Sequence, residues 1–85
     1  MGKIISLREM EPGQRARIKE ITATGSIRRR LLDIGLVEGT EIKCVGKSPA
    51  GDPAAFYIRG AIIAIRSEDG SNVIAEVTDE EHSKT

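Results

Sequence analysis

Three consecutive arginines, Arg28, Arg29 and Arg30, stand directly ahead of Leu31 and Leu32 in the stretch "GSIRRRLLDIG". Clustered guanidinium groups suit carboxylates and phosphates, because each presents a planar fork of donors that stays charged at any ordinary pH. The chemistry on offer is recognition of a negative surface. Bond-making chemistry has less to work with. The single histidine, His82, lies in a polar terminus with no nucleophile beside it, and Asp33, Asp52 and Glu76 show no spacing that pairs carboxylates for proton transfer. The "GKS" at residues 46–48 lacks the earlier glycine that a phosphate-cradling loop requires. Neither catalytic nor cofactor-binding residues are expected, and the chain reads as a non-enzyme.

Metal chemistry fares little better. A transition-metal ion wants histidine and carboxylate ligands fixed in space. "DEEH", Asp79 to His82, has the residue types but reads as a solvated acidic terminus, so no defined metal site is expected and any binding of a transition metal there is weak. Cys44, the one cysteine, sits in an alternating strand pattern and reads as a small buried apolar residue in a reducing compartment.

Charge narrows the class of partner. The 85 residues balance to a net charge of zero, yet residues 1–47 hold 10 basic and 6 acidic side chains and the remainder 3 basic and 7 acidic. Such a polar molecule suits docking on a complementary protein better than gripping a long polyanion. Arg15, Arg17 and Lys19 form a basic strand face, but Phe56 and Tyr57 are the only aromatics, too few for the stacking row that single-stranded nucleic acid uses. Nucleic acid is therefore not the expected partner. "MGKIIS" fits the N-myristoylation pattern, which is short enough to arise by chance. No apolar run reaches the roughly 18 residues of a membrane span, and the expectation is a cytoplasmic chain.

Elements must hold these groups in place. Ala16 and Ile18 alternate with Arg15, Arg17 and Lys19, then Ile21 falls out of phase, which predicts a strand with a bulge near Lys19 and Glu20. Ser26 as a cap, Ile27, Leu31 and Ile34 on one face, and Gly35 as a stop predict a two-turn helix. Ile42 and Cys44, Phe56 and Ile58, and Ile63 and Ile65 mark the inner faces of three further strands, with Tyr57 and Ile62 pointing outward. "SEDGSN" reads as a turn or single helical turn, and "VIAEV" as a last strand. About five short strands with one apolar face predict a sheet curled into a small barrel, with the helix inserted after the first strand. Residues 1–78 make one domain and residues 79–85 a polar tail expected to be disordered.

"RRRLLDIGLVEGTEIKCV", the "GDP" at residues 51–53 and the "RG" at residues 59–60 together resemble the FeoA family, from about Leu7 to Val77. These are small cytoplasmic accessory proteins of bacterial ferrous iron transport. The resemblance implies a mainly-β, SH3-like barrel that binds the cytoplasmic part of the membrane GTPase transporter FeoB and modulates iron uptake, reaching the membrane only through that partner. The same barrel is appended to DtxR-type metal-dependent repressors, which gives an alternative in which the chain contacts a regulator or nucleic acid. Two departures stand out: family members are usually polar where this chain has Ile62, and they carry an Ala- and Glu-rich helical turn where it reads "SEDGSNV". On this reading Arg28, Arg29, Leu32, Tyr57 and Ile62 form the partner-binding surface. Self-association is a second use of the Ile62 patch, and Gly35, Gly39 and Gly60 shape turns.

Overall fold

Ile42 and Cys44 point one way and Glu41 and Val45 the other, and this two-residue alternation recurs in strand after strand. The computed structural model describes residues 2–78. Its strands are β1 (Ile4–Ser6), β2 (Arg15–Ile21), β3 (Glu41–Lys47), β4 (Ala54–Ile58), β5 (Ala61–Ile65) and β6 (Val73–Val77). A 3-10 turn, Leu7–Glu9, follows β1; helix α1 (Gly25–Asp33) follows β2, and the single turn α2 (Ser67–Gly70) follows β5. The strands form one antiparallel sheet in the order β1-β6-β2-β3-β4-β5. Each strand contributes apolar residues to one core, from Ile5 in β1 to Val77 in β6.

Two bulges bend the sheet. Pairing slips between Ile18 and Glu20 in β2 and between Cys44 and Gly46 in β3, which frees one residue on each strand and increases the local twist. The first of these is where Ile21 loses phase in the sequence. The Glu11–Gln14 turn, closed by the Gln14 N–H on the Glu11 carbonyl at 3.0 Å, has Gly13 at φ 97° and feeds the chain into β2.

Helix α1 joins the core through Leu31. It ends in a paired motif: the Gly35 N–H donates to the Leu32 carbonyl at 3.0 Å and the Leu36 N–H to the Leu31 carbonyl at 3.2 Å. Gly35 stands at φ 106°, where a side chain is disfavoured, and the motif sets Leu36 against Leu31 in the buried core. Fully burying a leucine contributes roughly 1.5–3 kcal/mol, so this pair fastens a helix too short to stand alone.

Three expectations need correction. The sheet has six strands: β1, three residues long, has too little sequence to show alternation, and it puts α1 after the second strand. The helix begins at Gly25 behind Thr24, which makes no side-chain cap, so Ser26 is inside the first turn and is not the cap. Ile27 shares a helix face with Leu31 but lies one turn nearer the start, and it is 38% exposed while Leu31 is 1% exposed.

α2 is fastened from three sides. The Asp52 carboxylate accepts the Ser67 N–H at 2.8 Å and the Ser67 hydroxyl at 3.1 Å, Arg30 reaches Asp69 at 3.0 Å, and Gly70 packs against Leu7 and the Arg8 backbone. The helical turn therefore persists despite Gly70 and Asn72. The "GDP" stretch has a structural reason as well, since Asp52 caps a helix start fifteen residues away.

Candidate functional site

The three arginines part company on α1. Arg28 Nη1 donates to the Ile21 carbonyl at the end of β2, at 3.3 Å. Arg30 turns to Asp69 of α2, so it is a tie between helices that the sequence does not reveal. Arg29 is exposed and its side chain makes no hydrogen bond or ion pair among the described residues. Arg28, Arg29 and Asp33 line an open groove of 280 Å³ together with Gly25 and the half-buried Leu32. Two guanidinium groups, one carboxylate and the apolar Leu32 side chain together can take a partner segment that is acidic at one point and apolar at the next.

A second cluster lies across the outer face of the sheet. The registers Arg15↔Lys43, Lys43↔Tyr57 and Tyr57↔Ile62 set these four side chains in one row from β2 to the β5 edge. β4 and β5 are joined by the two-residue turn of Arg59 and Gly60, both at positive φ (50° and 91°). In such a hairpin, Ile58 and Ala61 form the hydrogen-bonded pair that closes the turn. Tyr57 and Ile62 then form the next, more closely spaced pair. Tyr57 is 49% exposed and Ile62 67%. Beside them, Lys43, Tyr57 and the exposed Val45 line a groove of 490 Å³.

The expected partner-binding residues thus fall into two clusters, Arg28, Arg29 and Leu32 on the helix and Tyr57 and Ile62 on the sheet, and neither groove is lined by both. Between them runs a physical link: Gly35, at the end of α1, packs on Ile58 and Arg59 of the β4–β5 hairpin. Gly39, at φ 91°, donates its N–H to the Ile18 carbonyl at 2.8 Å and holds the turn into β3.

Other reactive groups are held quiet. Cys44 is fully buried, its thiol 3.8 Å from the Gly46 carbonyl, and burial pushes its pKa up, away from the reactive thiolate. Among the described residues no three His, Cys, Asp or Glu side chains converge on a metal position, and Asp79–His82 lies outside them. No helix among the described residues is long and apolar enough to cross a membrane.

Comparison with known proteins sets this arrangement in a family. The model of the FeoA domain matches residues 5–77. A Fe(2+) transport protein A/Fe(2+) transporter FeoB fusion protein of Porphyromonas gingivalis is 31% identical over 71 residues, which is 84% of this chain and 8% of that protein. The chain thus spans under a tenth of that relative's length. The solution structure of a FeoA-like protein from Clostridium acetobutylicum superposes with a TM-score of 0.86 at 36% identity, covering 94% of this chain and 93% of the other. Stenotrophomonas maltophilia FeoA, described as a procaryotic SH3 domain protein and crystallised with zinc, gives 0.74 at 27% identity, covering 84% and 88%. A manganese-dependent transcriptional repressor shares the fold alone, with a TM-score of 0.80 at 13% identity over 92% of this chain and 44% of the repressor. This mainly-β, SH3-like chain belongs to the FeoA domain family.

Proposed function

We propose that this protein is a non-catalytic accessory of ferrous iron transport that docks on the cytoplasmic part of a FeoB-type transporter and modulates its uptake of iron. One observation carries the reading: in the Porphyromonas gingivalis relative a FeoA part and a FeoB transporter are one polypeptide. Fusion holds two modules at high effective concentration, which is useful when they act on one another. The surface supports docking more than chemistry. Arg28 and Arg29 frame Leu32 on one side, Tyr57 and Ile62 form an exposed apolar pair on another, and the thiol is buried.

The test is a titration of the purified chain against a detergent-solubilised FeoB-type transporter at low and high salt, alongside ferrous iron uptake into vesicles with and without the chain. Saturable binding, weakened by salt and by Arg28→Glu with Arg29→Glu, together with a changed uptake rate, is the expected result. Absence of binding, or preferential binding of duplex DNA under the same conditions, would move the chain toward the role suited to its repressor-like fold.

A further inference from the structure

The sheet has two outer strands, and they are guarded differently. β1 is three residues long and follows Lys3, both ordinary defences against unwanted pairing. β5 has neither. Its five residues, Ala61, Ile62, Ile63, Ala64 and Ile65, include no charge and no proline, and its pairing with β4 runs without a bulge. An edge of this kind accepts another strand.

Hairpin geometry fixes which backbone groups are open. With Ile58 and Ala61 bonded across the turn, alternation directs Ala61, Ile63 and Ile65 toward β4. Ile62 and Ala64 then aim their N–H and C=O groups away from the sheet. Neither residue has another backbone or side-chain hydrogen bond among the described residues. Ile62 is also the most exposed of the large hydrophobic side chains, and its neighbour Tyr57 extends that apolar face.

Charge at the ends of the strand selects the occupant. Arg59 precedes β5 and Arg66 follows it, both exposed and neither in an ion pair among the described residues. A second copy of β5, laid antiparallel about Ile63, would bring Arg66 of one chain against the Arg59–Gly60 turn of the other at both ends. Parallel pairing would set like arginines side by side. An acidic residue at each end of the incoming strand turns both repulsions into attractions.

We propose that the β5 edge is a strand-acceptor site for an extended segment of a partner protein, apolar at alternate positions and acidic at both ends. The inference rests on the docking reading above for the use of Tyr57 and Ile62, and it is tested without the transporter. The probe is a capped heptapeptide, Asp-Thr-Val-Thr-Val-Thr-Asp, whose valines fall opposite Ile62 and Ala64, titrated into the isotope-labelled full chain and followed by amide shifts and hydrogen exchange. The amides of Ile62 and Ala64 are expected to shift and to exchange at least about tenfold more slowly with peptide bound, as new ladder bonds require. A peptide with lysine at both ends is expected to bind about tenfold more weakly. Ile62→Lys, and Ala64→Pro as a second variant that an edge strand tolerates, are each expected to abolish the protection.

Unchanged exchange at Ile62 and Ala64, or equal binding of the two peptides, overturns the proposal. So does a concentration-dependent dimer that Ile62→Lys dissolves and the acidic peptide leaves intact, which assigns the edge to a second copy. A FeoB-type transporter that binds Ile62→Lys as well as the parent chain removes this site while leaving the accessory role standing. Peptide binding with no transporter binding does the reverse.

Discussion

Gly35 lies so close to Arg59 that a Cβ on the glycine would stand 3.0 Å from the arginine Cδ, and 3.1 Å from Cγ2 of the neighbouring Ile58. The glycine is also at φ 106°, where a side chain is strained whatever the space around it. Gly35→Ala is therefore expected to lose about 1–3 kcal/mol, combining backbone strain with displacement of the β4–β5 hairpin. Thermal melts give the size of the loss. Altered shifts at Arg59 and Gly60 would show that the hairpin moved; a loss without them would place all of the cost in the helix stop.

Leu31 and Ile27 are one helical turn apart and differ in what their truncation removes. Leu31→Ala opens a cavity beneath α1 and is expected to cost about 2–4 kcal/mol. Ile27→Ala, at a partly exposed position, is expected to cost under about 1 kcal/mol. Equal losses in denaturant titrations would mean that Ile27 is packed as closely as Leu31 in solution.

The helix dipole bears on the arginines less than a start at Ser26 implies. Arg28 closes the first turn and Arg29 lies in the second, beyond most of the positive end. Replacing both with Glu is expected to change stability by a few tenths of a kcal/mol at most, since the lost bond from Arg28 to Ile21 offsets the improved dipole. Transporter association should slow, most of all at low salt, because exposed charges steer encounter. Unfolding of the double variant would make the arginines structural, and unchanged association rates would make them bystanders.

Glu76 gives the fold an acid limit. Its carboxylate accepts the Gly2 N–H at 3.0 Å, and that bond is the main reason its pKa lies below the usual carboxylate range. Partial burial pushes the other way, and Lys19 at 3.6 Å adds to the lowering. A depressed folded pKa stabilises the protein above the ordinary value of about 4.3, and that contribution disappears as the pH falls through the lowered one. Glu76→Gln should flatten the acid limb of the melting temperature below about pH 4 and lower stability at neutral pH. An acid limb of unchanged steepness would shift the cause to other carboxylates.

Much of the sheet was legible because its strands are half-buried. Ile42 with Cys44, Phe56 with Ile58, and Ile63 with Ile65 each declare an inner face by alternation, and the phase break at Ile21 declares the bulge. What stayed hidden depends on contacts distant in sequence. β1 is too short to alternate and is held by pairing with β6. Met10 and Leu36, both fully buried, lie in irregular connecting segments where no periodicity operates. The start of α1 was misplaced because Ser26 is a good cap by type, whereas the chain begins the helix earlier, at a glycine with φ 65°. The arginine run was visible as charge, but its division among β2, α2 and solvent follows from tertiary placement. The β5 edge was visible as an exposed Ile62, and only strand order shows that its backbone is open as well.

The Val77 N–H donates to the Lys3 carbonyl at 2.8 Å, so the first and last strands are neighbours and the chain enters and leaves the fold within one hydrogen bond. A module with adjoining entry and exit can be spliced into a loop of a larger polypeptide, or carried at its end, with little distortion of either. It can also be rejoined end to end and reopened at an exposed turn such as residues 49–51. The same adjacency has a cost during synthesis. Because β6 lies between β1 and β2, the sheet cannot be completed until its last five residues have cleared the ribosome, and until then both flanking strands expose unpaired backbone.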